Sequence, residues 1–170
     1  MNGAAPVAAR TAGVTSIVAR LRGGMAAIPE SLIALLGRFS LAAVFWQSGQ
    51  TKVEGLAVDL VQVRFEPGWP RLADSAIVLF RDEYRLPLLA PEFAAALAAF
   101  GEHLLPLMLL LGLGTRLAAS GLLAMTAVIQ FLVYPGAYAT HGVWAAVLLW
   151  LMARGPGVVS IDRWLERRVR

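Results

Sequence analysis

Three ionisable residues interrupt otherwise apolar stretches of the chain: Arg38, Glu102 and His103. A charge in hydrocarbon is costly and calls for a named partner. At about 1.5 Å of rise per residue, Arg38 and Glu102 lie roughly 10 Å and roughly 15 Å from the same end of their helices. These depths are close enough to meet, and a guanidinium can hold a carboxylate through two hydrogen bonds. We therefore expect an Arg38–Glu102 ion pair. Pro106 stands four residues after Glu102 and removes the amide that would bond the Glu102 carbonyl, which predicts a helix kink. Ala95, Ala98 and Ala99 allow close helix approach one or two turns earlier. A freed carbonyl beside a buried carboxylate describes a small polar pocket. The structural alternatives are that Arg38 and Glu102 only fix helix pairing, or that Arg38 snorkels to the headgroups.

His103 follows Glu102 but projects about 100° around the helix, so the two should not converge on one centre. It reads as a histidine hydrogen-bonded within the bundle. His141, at the start of the last apolar stretch, could join Gln47, Gln50, Lys52 and Gln130 in a polar mouth at the outer end; the alternative is an interfacial anchor. No metal site is expected, because no histidine pair has helical i, i+3 or i, i+4 spacing and the methionines are not spaced as a thioether site. Trp46, Trp144 and Trp150 read as packing or interface residues. There is no nucleophile pattern of serine, histidine and aspartate, and no pair of carboxylates at catalytic spacing.

The elements that must position these residues follow from composition. Of 170 residues, 58% are hydrophobic and only 15% charged. A soluble domain carries about a quarter charged residues, so this chain is read as a membrane protein. It has no cysteine, which removes disulfides, thiolate metal sites and dithiol relays. Apolar stretches run from Ile28 to Gly49, from Pro91 to Gly112 and from Arg116 to Tyr134. A shorter one, His141 to Ala153, is counted as spanning because of the charges around it. Arginines at 10, 20 and 22, at 116, and at 154, 163, 167, 168 and 170 fit the cytoplasm. The uncharged Tyr134–Thr140 connection, and the Gln50–Ala90 connection with five basic and six acidic residues, fit the outside. Four spans with both termini cytoplasmic is the consistent solution. The net charge of +4 is then orientation and lipid contact rather than nucleic-acid binding.

The expected fold is an all-α membrane protein, a four-helix transmembrane bundle whose long helix 1–2 outer loop carries a short interfacial helix near Ala76–Tyr84. The expected organisation is a cytoplasmic, amphipathic tail over 1–27, a membrane domain over 28–165 and a basic tail over 166–170.

Several stretches, in order, resemble the DoxX family of small bacterial membrane proteins: Arg38; Ser48-Gly49 with Lys52; Glu102; Leu113-Gly114-Thr115-Arg116; and Gly155-Pro156-Gly157. The resemblance covers about residues 30–165. Relatives include the membrane subunit of a thiosulfate:quinone oxidoreductase and proteins that hold oxidative-stress or sulfur-handling enzymes at the membrane. It implies an accessory, non-catalytic subunit of a redox, sulfur-handling or stress-response system in the bacterial inner membrane, with a redox or metal/sulfur-handling enzyme as partner and homo-oligomerisation as a further expectation. Having no cofactor of its own, such a chain would move electrons only through a bound quinone, as part of a quinone-linked oxidoreductase. The alternatives are a small proton-coupled transporter, with Glu102 and His103 as proton acceptors, and a stand-alone membrane ligand-binding protein.

Overall fold

The computed structural model describes residues 19–59 and 63–169. Four long helices cross: α1 (Glu30–Gln50), α3 (Pro91–Leu111), α4 (Thr115–Val128, closed by a π-helical turn at Ile129–Val133) and α5 (Tyr138–Arg154, entered through a 3-10 turn at Pro135–Ala137). Each of the four is long and apolar enough to span a bilayer. Short α2 (Asp74–Leu79) continues into a π-helical turn at Phe80–Tyr84, and α6 (Ile161–Val169) closes the chain. A helical segment covers 19–26; Val7, Val14, Ile17 and Val18, which suggested an amphipathic tail, lie outside the described residues.

The four spans form a ring in which α1 packs on α3, α3 on α4, α4 on α5 and α5 back on α1. Small residues let the backbones approach: Ala34, Ala118 and Ala119 are buried among Leu41, Phe45, Leu109, Leu122, Leu148 and Leu151. Leucines such as Leu36, Leu107, Leu117, Leu132 and Leu149 face outward, as they should where the solvent is lipid. The fourth span is longer than the His141–Ala153 stretch. Proline at the start presets helical geometry, so Tyr138, Ala139 and Thr140, too polar to extend the apolar stretch, are helical.

The helices are staggered. Arg38 on α1 lies against Leu109 and Leu110 on α3, and Gly49 on α1 against Glu102. The outer part of α3 therefore projects past the end of α1, and the long loop covers it. Ala73, Ala76 and Phe80 from the loop pack on Ala94 and Ala95 of α3 in a second small core. The loop also holds two antiparallel pairs, β1 (Val53–Glu54) with β4 (Arg71–Leu72) and β2 (Ala57–Asp59) with β3 (Arg64–Glu66). Strands of two or three residues are too short to leave an alternating pattern, so the sequence did not announce them.

The α3–α4 turn depends on Gly112 and Gly114, both left-handed at φ 67° and 55°. The amides of Gly112 and Leu113 bond back to Leu109 and Met108, closing the end of α3.

Candidate functional site

The expected Arg38–Glu102 pair does not form. Each charge has other partners: Arg38 is level with the last turn of α3, and Glu102 is level with the last turn of α1.

Arg38 is buried and donates four hydrogen bonds to backbone carbonyls: Nε to Leu109 (2.8 Å), Nη2 to Leu110 (2.6 Å), and Nη1 to Pro156 (2.9 Å) and Val159 (2.7 Å). Leu109 and Leu110 belong to the last turn of α3, whose carbonyls lack the i+4 amide of the helix interior and carry the negative end of the helix dipole. A cation there is favoured twice over. A Cβ at Gly112 would come within 2.9 Å of the guanidinium, so the glycine also makes room for Arg38. Asp162 completes this end: its carboxylate accepts the free amides of Gly114 (2.7 Å) and Thr115 (2.9 Å) at the start of α4, and its own amide donates to Gly112 (2.9 Å). Arg38, the Gly-Thr-Arg turn and the Gly-Pro-Gly segment thus form one clamp that joins α1, α3, α4 and the chain leading into α6.

Glu102 is equally buried. Its Oε2 meets Lys52 Nζ at 2.7 Å and its Oε1 accepts from Ser48 Oγ at 3.2 Å. Lys52 Nζ also donates to Ser48 Oγ (3.0 Å) and to the Ser48 carbonyl (3.2 Å), which occupies all three of its donors. This explains the Ser48-Gly49-x-x-Lys52 spacing. Four residues apart at a helix end, Ser48 and Lys52 reach the same carboxylate. Gly49 between them lets α1 approach so closely that a Cβ would stand 3.0 Å from the Glu102 carbonyl, the one Pro106 deprives of its helical amide. α3 remains helical through Pro106 to Leu111.

His103 turns the other way, as its angle predicts. Nδ1 donates to the Ala99 carbonyl (2.7 Å), which leaves Nε2 to accept from Gln50 Nε2 (2.8 Å); Gln50 Oε1 in turn accepts the Val58 amide (2.7 Å). The expected single mouth of Gln47, Lys52, Gln130 and His141 is divided. Lys52 serves Glu102, Gln130 bonds His141 Nδ1 (2.8 Å) and the Pro135 carbonyl (2.8 Å) on the α4–α5 side, and Gln47 is exposed. Among the described residues no group of three or more histidine, cysteine or acidic side chains could hold a metal.

Beside Glu102 a cavity of about 430 Å³ opens between α3 and α4 beneath the π-helical turn that follows α2. Its walls include Phe80, Leu97, Leu105, Met125 and Ile129, and only Glu102 and Tyr84 bring polar side chains to it. Burial above all, with the Glu102 charge next, pushes the Tyr84 phenol above its ordinary range. Tyr84 packs at a tilt against Phe80 and edge-on to Tyr134, whose hydroxyl donates to Glu83. Phe100, Leu104 and Val128 at the rim are exposed on the side of the bundle, so the cavity is entered from the lipid face. Sequence reasoning missed Tyr84 because it lies in the loop, and Asp162 because it lies in a charged tail; the i, i+4 serine and lysine were the available signal for the Glu102 partner.

Four apolar spans around three buried charged side chains, Arg38, Lys52 and Glu102, define a small polytopic membrane protein. The DoxX family model matches residues 33–135, well over half of the chain, and the protein belongs to the DoxX family. The match is narrower than the resemblance, which extended to the Gly-Pro-Gly segment. No curated protein and no solved structure matches the chain.

Proposed function

We propose that the protein is a non-catalytic accessory subunit of a redox, sulfur-handling or stress-response system of the bacterial inner membrane, with both termini cytoplasmic and a small lipophilic molecule or quinone headgroup held beside Glu102. The observation that carries this reading is the 430 Å³ apolar cavity, entered from the lipid, whose polar groups are Glu102 and Tyr84 alone. Such a site suits a ligand with an apolar body and one or two hydrogen-bonding groups. The Lys52–Glu102 pair sets the charge at its polar end, and the Tyr84 hydroxyl, which shares a side-chain hydrogen bond with Tyr134, is its second polar group. Family membership supports a membrane subunit, and the exposed Phe65, Trp69 and Leu88 of the loop offer apolar surface to a partner enzyme outside the membrane. The arginines at the end bearing Arg154 and Arg163 support the orientation.

The test is purification of the tagged protein from native membranes in a mild detergent, with mass spectrometry of accompanying proteins and extraction of bound quinone. A redox or sulfur-handling enzyme in stoichiometric amount, with quinone lost from Glu102→Gln and Tyr84→Phe, is the expected outcome. A chain that purifies alone and free of quinone would overturn the proposal.

A further inference from the structure

The structure contains a second cavity, and we infer that it is a binding site for the phosphate of an anionic phospholipid. The inference is independent of the Glu102 site, which lies at the other end of the bundle. α6 does not lie flat on the helix ends. Between it and the ends of α1, α4 and α5 is a cleft of about 1120 Å³. The clamp holds this cleft in shape, because Asp162 and the Arg38 bonds to Pro156 and Val159 fix where α6 begins.

Arginines enter the cleft from three elements: Arg116 from the first turn of α4, Arg154 from the last turn of α5 and Arg163 from α6. None is committed to a strong partner. Arg116 reaches only the Ala153 carbonyl, at 3.5 Å, and has no carboxylate partner among the described residues. Arg154 pairs with Glu30 at 3.5 Å and Arg163 with Glu166 at 3.0 Å, all four side chains being about half exposed or more. Exposed pairs of this kind contribute little and exchange partners readily. A phosphate can take two hydrogen bonds from a guanidinium in a geometry that fits both.

The lining also says which source of phosphate fits. Glu30, Asp162 and Glu166 line the same cleft and balance the three arginines, so it has no net charge to concentrate free anions. Its floor is apolar: Ala34, Leu117 and Trp150, with Leu165 and Val169 of α6 opposite. Leu117 is 69% exposed on the side of α4, which carries the apolar floor out onto the lipid-facing surface. An acyl chain along Leu117 with its phosphate among the arginines satisfies both parts of the lining; a free phosphate satisfies one. Further along α6, Arg167 and Arg168 add positive charge, and Arg168 stacks 4.0 Å over the Trp164 ring. That pairing of aromatic and arginine suits a helix in the headgroup layer of an anionic leaflet.

The test uses the full chain in detergent, titrated with phosphatidylglycerol, with phosphatidylcholine of the same acyl chains and with inorganic phosphate, and read by native mass spectrometry. We expect one phosphatidylglycerol retained per chain, at least tenfold more than phosphatidylcholine and unaffected by millimolar phosphate. The Arg116→Gln/Arg154→Gln variant should retain at least fivefold less. Should that variant not accumulate, Arg163→Gln, exposed and bonded only to Glu166, should lower retention about twofold with an unchanged melting temperature in lipid-free detergent. Equal retention of the two lipids would overturn the inference, and so would variants that hold phosphatidylglycerol as well as the wild type. Competition by inorganic phosphate would assign the cleft to a free anion and overturn the lipid reading.

Discussion

The two ends of the bundle both bury a basic side chain, and they handle it in opposite ways. Arg38 has no carboxylate of its own; four carbonyls share its charge, at a helix end that carries partial negative charge. Lys52 meets a full carboxylate, Glu102, beside a cavity. The first arrangement spends nearly every donor of the guanidinium, and it joins four chain segments. The second joins the end of α1 to α3 through one ion pair and borders the cavity. The first secures four segments at once, and the second is a single ion pair that a double substitution can remove whole.

The comparison can be broken most directly at Arg38. Arg38→Ala removes four hydrogen bonds at once; Leu109 keeps the Gly112 amide, but the Leu110, Pro156 and Val159 carbonyls lose the guanidinium, and at about 1–3 kcal/mol for a buried group left unpaired the variant should be strongly destabilised. A monodisperse, thermally unchanged variant by size exclusion and melting in detergent would remove the clamp from consideration. Lys52→Met comes next. It leaves Glu102 buried without its cation, a loss of about 3–5 kcal/mol, while Lys52→Met with Glu102→Leu should recover most of it because the pair is removed whole. Single variants as stable as the double one would show that the two residues do not act as a pair. The corresponding rescue should fail at Arg38, since backbone carbonyls cannot be substituted away.

Smaller effects sharpen the same contrast. Asp162→Ala uncaps α4, with an expected loss of about 1–2 kcal/mol, and should expose the α6 segment to protease before the bundle unfolds; α6 cleaved no faster than in the wild type would argue against Asp162 holding the start of α6. Arg81→Ala breaks only the exposed pair with Glu92 at 2.8 Å, and thermal melting should not detect it. A measurable drop would mean that the loop depends on surface charge more than on its Ala76–Phe80 core.

Much of the fold was legible. Three apolar stretches fell within a few residues of the observed spans, since a bilayer-length helix needs about twenty apolar residues and these are hard to hide. Charges at the stretch ends called for a fourth span, although its apolar part alone was too short. The loop helix was visible in Ala76–Tyr84, and the short strands beside it were not. For the site, helical angles correctly separated Glu102 from His103, because that relation is local. Depth counting failed for Arg38 and Glu102, because it assumes helices that start level, and here α1 and α3 are staggered. The stagger brings Lys52, which reads as a residue at the mouth, down onto the middle of α3.

The sequence by itself determined that the chain lies in a membrane, that it crosses four times, that buried charge sits on the first two spans, and which family it resembles. These depend on composition and on periodicity within single helices. The tertiary structure alone decided which charge meets which partner, that Arg38 binds carbonyls and Lys52 binds Glu102, and that cavities open beside Glu102 and beneath α6. Partner choice depends on the axial offset of neighbouring helices. That offset is a sum of many small packing contacts, Gly49 against Glu102 and Gly112 against Arg38 among them, and no single segment of the sequence carries it.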